Sequence, residues 1–461
     1  MPSKPKTAFE CIECGTEYLR WQGQCDQCSE WNSLEPITII EKTGVSKETS
    51  FGVTKLVNVQ EPETKRLTSG FDELDRVLGS GWVHGSVNLI CGEPGIGKST
   101  LVLQSSLACA SSGKKTLYFT AEESALQIKD RAQRLSKTLP DQIYISATTD
   151  MESIISMIEK ESPDVVILDS IQMVMSQKLT SMPGALNQVR LCASMFINAV
   201  KSVGAIGIVV GHITKDGQLA GPKMLEHMVD VILFFEGERS MSIRMLRALK
   251  NRYGTTNETG LFRMKAEGLE ALGENYHLMS DVKKPPLAGS ITTAVLSGTR
   301  GMLVECQSLV VQAGYQHVKR TFVGLDNHRA HLMVAILDKF FQLKLAGKDV
   351  FISLVGGIKT QLPDIDLALC FSVWSSHFSR PVPKDFAILG EVGLTGEILP
   401  IAHLDRYISA MELLGISSCI LPKQCEADWE KARKVTPLYV ETIFDAYKLF
   451  NTLSLKQNQD H

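Results

Sequence analysis

The apolar runs of this chain are short, and their spacing separates strands from helices. SVNLIC (86–91), TLYFT (116–120), VVILD (165–169) and AIGIVVGH (205–212) are brief, nearly continuous apolar blocks, the pattern of strands buried on both faces of a parallel sheet. LVLQSSLACA (101–110) reads as a helix following the first of them. MSIRMLRAL (241–249) places apolar residues near every second position, and TGLFRMKAEG (259–268) follows as a second strand, with KNRYG (250–254) as a turn between them. Beyond KKPPLAGS (283–290), a boundary marked by Pro285-Pro286, AVLSGTRGMLVECQSLV predicts strands. NHRAHLMVAILDKFFQL and DIDLALCFSVWSS predict amphipathic helices in a mixed α and β region. Residues from about 36 to 65 are polar with little periodicity and read as a linker.

These boundaries give a small N-terminal segment (1–35), the linker (36–65), an α/β domain (66–280) and an α+β domain (290–455). The division agrees with about three domains at roughly 150 residues each for 461 residues. Hydrophobic content of 44% and charged content of 21% are those of globular chains, and a net charge of −3 excludes wholesale basicity. Nucleic-acid contact therefore falls to local basic loops. No run reaches the ~18 apolar residues of a membrane span, and the first residues carry no apolar signal core. The expectation is a cytoplasmic protein with no membrane partner. Its eleven cysteines then argue against a disulfide framework. Seven of them (Cys91, Cys109, Cys192, Cys306, Cys370, Cys419, Cys425) sit mostly in apolar surroundings as small core residues.

The other four are clustered. Cys11-x-x-Cys14 and Cys25-x-x-Cys28, separated by ten residues, supply four thiolates for one Zn²⁺. A segment too short for its own core would be stabilised directly by the metal. Trp21, Trp31 and Arg20 have open roles: stacking on nucleic acid, covering the zinc site, or packing on the next domain.

GEPGIGKST (Gly92, Glu93, Pro94, Gly95, Ile96, Gly97, Lys98, Ser99, Thr100) fits G-x-x-x-x-G-K-[ST] between a strand and a helix. Its glycines let backbone N–H groups converge on phosphates at the positive end of the helix. Lys98 reaches the β- and γ-phosphates of ATP, and Ser99 ligates Mg²⁺. Asp169 ends a buried strand, where a second Mg²⁺-organising group belongs. Thr120-x-x-Glu123 matches a capping box, which gives Glu123 a structural task and leaves Glu122 to orient and deprotonate the attacking water. His212, at another strand end, is open between a satisfied core histidine and a γ-phosphate sensor. The loops carrying Lys178 and Arg190, and Lys215 and Lys223, are open between DNA contact and plain solvent exposure.

Taken together, TSGFDELDRVLGSGWVHGSVNLICGEPGIGKST, TAEES, VVILDSIQ, GHITKDGQLAGPKMLEHMVD and KNRYG resemble the RadA (Sms) family of bacterial repair proteins, as do the four-cysteine finger and the C-terminal region. KNRYG is a near match to the family's KNRFG, with Tyr253 in place of Phe. The resemblance implies a RecA-like P-loop ATPase core and a homo-oligomeric ring, a hexamer. It implies DNA-stimulated ATP hydrolysis and branch migration on single-stranded and branched DNA, alongside the strand-exchange protein RecA. It also implies that Glu122 activates water, and that Lys250 and Arg252 reach the nucleotide of a neighbouring subunit as an arginine finger does.

FAILGEVGLTGEILPIAHLDR is similar to the proteolytic domain of the Lon protease, which needs a Ser nucleophile and a Lys base. By motif register those places fall near Asp364 and Asp405, so the expectation is a non-proteolytic platform for assembly and DNA binding. A different class of function also fits: the clock-type ATPases share LDRVL…PGIGKST, and a RecA-fold ATPase of that kind would regulate a protein partner without moving DNA.

Overall fold

The computed structural model describes residues 6–11, 16–18, 20–39, 66–212, 222–237, 243–273, 285–314, 318–356, 358–429 and 434–456. The chain divides into two compact units. The first comprises residues 1–236, 246–256 and 264–269; the second comprises 237–245, 257–263 and 270–461. Among the described residues no helix is long and apolar enough to cross a membrane.

At the N-terminus, β1 (Lys6–Cys11) pairs antiparallel with β2 (Glu17–Tyr18) and with β3 (Leu34–Ile39). The third strand runs on to Ile39, past the point where the sequence suggests a linker; its residues complete the register with Lys6. The small core of this ribbon is Cys11, Cys25 and Leu34, flanked by Phe9, Tyr18 and Cys28. Neither tryptophan belongs to it: Trp21 and Trp31 are 57% and 69% exposed.

After a short ladder of β4 (Arg66–Leu67) with β5 (Trp82–Val83), enclosing α1 (Asp72–Leu78), comes the main sheet. Its strands are β6 (Val87–Gly92), β7 (Thr116–Thr120), β8 (Ile143–Ala147), β9 (Val165–Asp169), β10 (Ile206–His212), β11 (Val231–Glu236), β12 (Ile243–Asn251), β13 (Thr259–Lys265) and β14 (Gly268–Ala271). Their order is β14-β13-β12-β11-β6-β10-β9-β7-β8. The ladders joining β11, β6, β10, β9, β7 and β8 are all parallel. Parallel neighbours need crossovers, and α2 (Lys98–Ser111), α3 (Ala125–Leu135), α4 (Met151–Glu161) and α5 (Leu186–Val203) supply them. Strands β6, β7 and β9 are buried at every position, as their unbroken apolar runs require. A further helix, α6 (Pro222–Met228), precedes β11.

Two sequence expectations are corrected here. The helix after β7 starts at Ala125, capped by Ser124 in a capping box with Gln127. Thr120 instead closes a local turn, accepting from the Glu123 N–H at 3.1 Å and donating to its carbonyl at 2.9 Å. The Ser124 box is the one with a helix behind it; that helix begins at Ala125, five residues after Thr120. KNRYG is likewise not a self-contained turn. Lys250 and Asn251 finish β12, and the connection runs from 252 to 258 before β13 begins.

The second unit is built on a seven-stranded mixed sheet, β17-β18-β16-β15-β19-β22-β23. The strands predicted from AVLSGTRGMLVECQSLV are β15 (Ser290–Ser297) and β16 (Arg300–Gln312), which the structure pairs antiparallel. The rest are β17 (Arg320–Val323), β18 (Lys348–Leu354), β19 (Phe386–Ile388), the small β20 (Glu391–Val392) with β21 (Ile398–Leu399), β22 (Ser418–Pro422) and β23 (Thr436–Val440). The two predicted helices appear as α7 (Asn327–Phe341) and α8 (Asp366–Phe378), followed by α9 (Leu404–Leu413) and α10 (Ile443–Lys456). Met333, Val334 and Leu337 of α7 and Phe371 and Trp374 of α8 fill the core beside β16 and β18.

Candidate nucleotide site and metal centre

The C-terminal ends of β6, β7, β9 and β10 lie side by side, because the register pairs His212 with Gly92, Val210 with Asp169, and Thr120 with Asp169. Ligands of doubly wound sheets bind at this edge. The phosphate loop leaves β6 there and turns directly into α2. Its tightness demands glycine at two positions. At Gly92 a Cβ would lie 2.2 Å from the Phe235 carbonyl oxygen, and at Gly97 the φ of +116 is a conformation that side-chain-bearing residues rarely adopt. Lys98 is buried, and its Nζ donates to the carbonyls of Gly92 (2.8 Å) and Glu93 (2.9 Å). Burial pulls the Lys98 ammonium down to about 8, although Asp169, Glu122 and Glu93 draw it the other way.

Ser99 and Asp169 meet across the sheet edge. Burial raises the Asp169 carboxyl, and hydrogen bonds from the Ser99 and Tyr118 hydroxyls oppose the rise. A hydroxyl and a carboxylate are hard oxygen donors of the kind Mg²⁺ takes, and they stand beside the lysine that addresses phosphates. The donor set fits that ion.

Glu122 follows the end of β7. Its Oε1 accepts the Ser170 hydroxyl and lies 3.0 Å from His212 Nε2. Burial pushes its carboxyl up, but those two bonds and the Lys98 charge outweigh it and hold the group below the ordinary glutamate range. Glu123 faces elsewhere and is paired with Arg131. The structure thus separates the adjacent glutamates as the sequence does, with an ion pair rather than a capping box occupying Glu123. Among the described residues His212 Nδ1 is buried without a hydrogen-bond partner, and the His212 carbonyl takes the Gln172 amide at 3.4 Å. Beside Thr100, a cavity of about 170 Å³ is lined by Arg131, Arg134, Leu135, Met264 and Lys265.

Lys250 and Arg252 are not at this edge. Lys250 Nζ donates to the carbonyls of Glu226 and Val229 (2.5 and 2.8 Å) around the end of α6, and burial and the Arg252 charge lower its pKa. Arg252 Nη1 is 3.1 Å from Asp230 Oδ1; Asp230 is itself buried and accepts the Val87 N–H. Of the nominated DNA contacts, Lys178 and Arg190 are exposed, the second as the fifth residue of α5. Lys215 lies outside the described residues; Lys223 is in α6. Sequence reasoning passed over Tyr118, Ser170, Arg131 and Asp230. Ser170 was the most accessible, being the residue next to Asp169 in the quoted motif.

In the ribbon, the sulfurs of Cys11, Cys25 and Cys28 lie within 4.8 Å of one another, with Cys11 and Cys28 3.5 Å apart. Cys14 lies outside the described residues. Three thiols converging in so small a volume fit a tetrahedral Zn²⁺. The seven remaining cysteines are all buried, and burial raises the thiols of Cys91, Cys109, Cys192 and Cys306 to about 12.

In the second unit Asp364 is buried and accepts the Tyr407 hydroxyl, while Asp405, two residues before that tyrosine, is exposed. Asp366 pairs with Arg329, which also reaches Glu391 at 3.2 Å. Burial raises Asp366 to about 6 against the pull of Arg329.

Comparison with known proteins agrees with this architecture. A rubredoxin metal-binding domain model matches residues 9–36, an AAA domain model residues 56–218, and a model of the Lon protease (S16) C-terminal proteolytic domain residues 338–442. A DNA repair protein RadA from Halalkalibacterium halodurans is 39% identical over 453 residues, covering 97% of this chain and 99% of its own. Those from Bacillus subtilis (37% over 454 residues, 97% and 99%) and Haemophilus influenzae (40% over 432 residues, 92% and 93%) are similar. A zinc ribbon, a P-loop ATPase core and a Lon-like domain in this order, with such identity along nearly the whole length, place the chain in the RadA family of DNA repair proteins.

Proposed function

We propose that the protein is a DNA-stimulated ATPase of homologous recombination and repair, a ring-shaped motor that promotes branch migration. The observation that carries this reading is the position of Glu122. The two groups that hold its carboxylate, Ser170 and His212, each precede in sequence one of the segments nominated for DNA: Ser170 lies upstream of 176–190, with Lys178 and Arg190, and His212 directly before 213–223, with Lys215 and Lys223, of which 213–221 lie outside the described residues. DNA drawn to either loop acts on a residue that touches the catalytic base.

In this mechanism the loop N–H groups and Lys98 bind the β- and γ-phosphates, and Lys98 exchanges the Gly92 and Glu93 carbonyls for them. The cavity beside Thr100 takes the base of the nucleotide. Ser99 and Asp169 would hold Mg²⁺, which would supply positive charge against the charge developing on the phosphates. Glu122 accepts the proton of the attacking water, and His212 reports on the γ-phosphate. Lys250 and Arg252 act on a neighbour's nucleotide; their distance from this chain's own phosphate loop in the fold supports an action in trans. Asp364 stands near the place where Lon-type proteolysis needs a nucleophile, and Asp405 near the place of its lysine base; the Asp364 carboxylate is tied to the Tyr407 hydroxyl, which supports a non-proteolytic domain.

The test is ATPase activity with and without single-stranded DNA at low salt, since phosphate contacts weaken as salt rises. Stimulation supports the reading. Unstimulated hydrolysis with no DNA binding would instead favour an ATPase that regulates a protein partner.

A further inference from the structure

The carboxylate of Asp169 has a second neighbour besides Ser99. Tyr118 is fully buried in the middle of β7, and its hydroxyl donates to Asp169 Oδ2 at 2.8 Å. The register explains the approach. Thr120 pairs with Asp169 and Tyr118 with Ile167, so Tyr118 and Asp169 are diagonal neighbours on one face of adjacent parallel strands. That reach suits an aromatic side chain.

A phenol this deep must find an acceptor or lose its hydration without compensation. An aromatic residue in an apolar strand needs no hydroxyl to pack: Phe119, next along, is as deeply buried without one. What the oxygen adds is a fixed direction for the carboxylate. Asp169 has two oxygens; with Oδ2 taken by Tyr118, its rotation is limited and the group is left facing Ser99.

We propose that Tyr118 is a positioning residue that sets the Asp169 carboxylate for the cation accompanying the nucleotide. The inference rests on the reading of Ser99 and Asp169 as Mg²⁺ ligands. Residues that orient a ligand from behind usually change metal affinity by about 10- to 100-fold when removed.

The experiment uses the full-length protein and a fluorescent ADP analogue titrated in EDTA and at rising Mg²⁺, with thermal unfolding recorded at each Mg²⁺ concentration. Tyr118→Phe fills the same space. The expected result is unchanged nucleotide affinity in EDTA, with a Mg²⁺ midpoint for tighter binding raised about tenfold and recovery at high Mg²⁺. A purely packing role would lower the unfolding midpoint at every Mg²⁺ concentration alike and leave the Mg²⁺ midpoint in place; that outcome overturns the inference. Asp169→Asn separates the two levels. If it leaves the Mg²⁺ midpoint in place, the ligand assignment itself fails; if it moves the midpoint and Tyr118→Phe does not, only the role of Tyr118 fails.

Discussion

Glu122 Oε1 and His212 Nε2 lie 3.0 Å apart although 90 positions separate the two residues in the chain. The ends of β7 and β10 carry them to the same point, with Ser170 from the end of β9 between them. A carboxylate held this way is kept ionised and oriented, but it is also occupied.

Glu122→Gln should therefore lower the hydrolysis rate by about 10²- to 10⁴-fold, the usual worth of a general base, with nucleotide affinity preserved. His212→Ala removes one of the contacts that depress the Glu122 carboxyl, so its pKa rises. Because hydrolysis needs the ionised base, the acidic limb of the pH–rate profile should move to higher pH. A profile of kcat from pH 4 to 8 checks this; an unmoved limb refutes the coupling.

Lys98 gives a second pH dependence, of opposite sign. In the free protein its ammonium loses its proton near pH 8. Bound phosphates favour the charged form, so binding above that pH takes up a proton. Nucleotide affinity should be level below about pH 8 and fall above it, by at most tenfold per pH unit. Calorimetry in buffers of different ionisation enthalpy reads the proton uptake directly, and Lys98→Ala should abolish it.

Lys250 and Arg252 are occupied by the α6 carbonyls and Asp230 in their own chain. Lys250→Ala and Arg252→Ala should keep nucleotide binding and lose hydrolysis and DNA movement. Mixing either with Lys98→Ala should restore part of the hydrolysis, because intact half-sites then meet in mixed assemblies. Recovery in no mixture removes the in-trans assignment.

Among the described residues the ribbon's core is little more than Cys11, Cys25 and Leu34, so a bound metal would be its main source of stability. Chelation, or Cys25→Ser, should release one Zn²⁺ per chain and abolish the ribbon's strand signal in NMR spectra. ATP binding should remain, because the phosphate loop's partners lie in other elements of the chain.

The phosphate loop, the paired C-x-x-C units and the buried strands were legible in the sequence because each is a local pattern. Fixed spacing places thiols or glycines, and an unbroken apolar run forces burial. VVILD announced both a strand and a carboxylate at its end. Local patterns also misled. Thr120-x-x-Glu123 has the spacing of a capping box, but spacing does not say where the helix begins, and the competing Ser124–Gln127 box won. KNRYG has turn composition, but its first two residues were needed to complete β12.

What the sequence by itself determined is therefore the kind of chemistry and the strands that bear it: a phosphate-binding lysine, an acidic pair after one strand and an aspartate after another. What holds Glu122, the glutamate the sequence had already singled out, was decided only by tertiary structure. Parallel pairing aligns strand ends that are far apart in the chain, so Ser170 and His212 reach Glu122 and Tyr118 reaches Asp169. Those contacts depend on sheet order and register, which follow from how all the apolar faces are buried together rather than from any one segment.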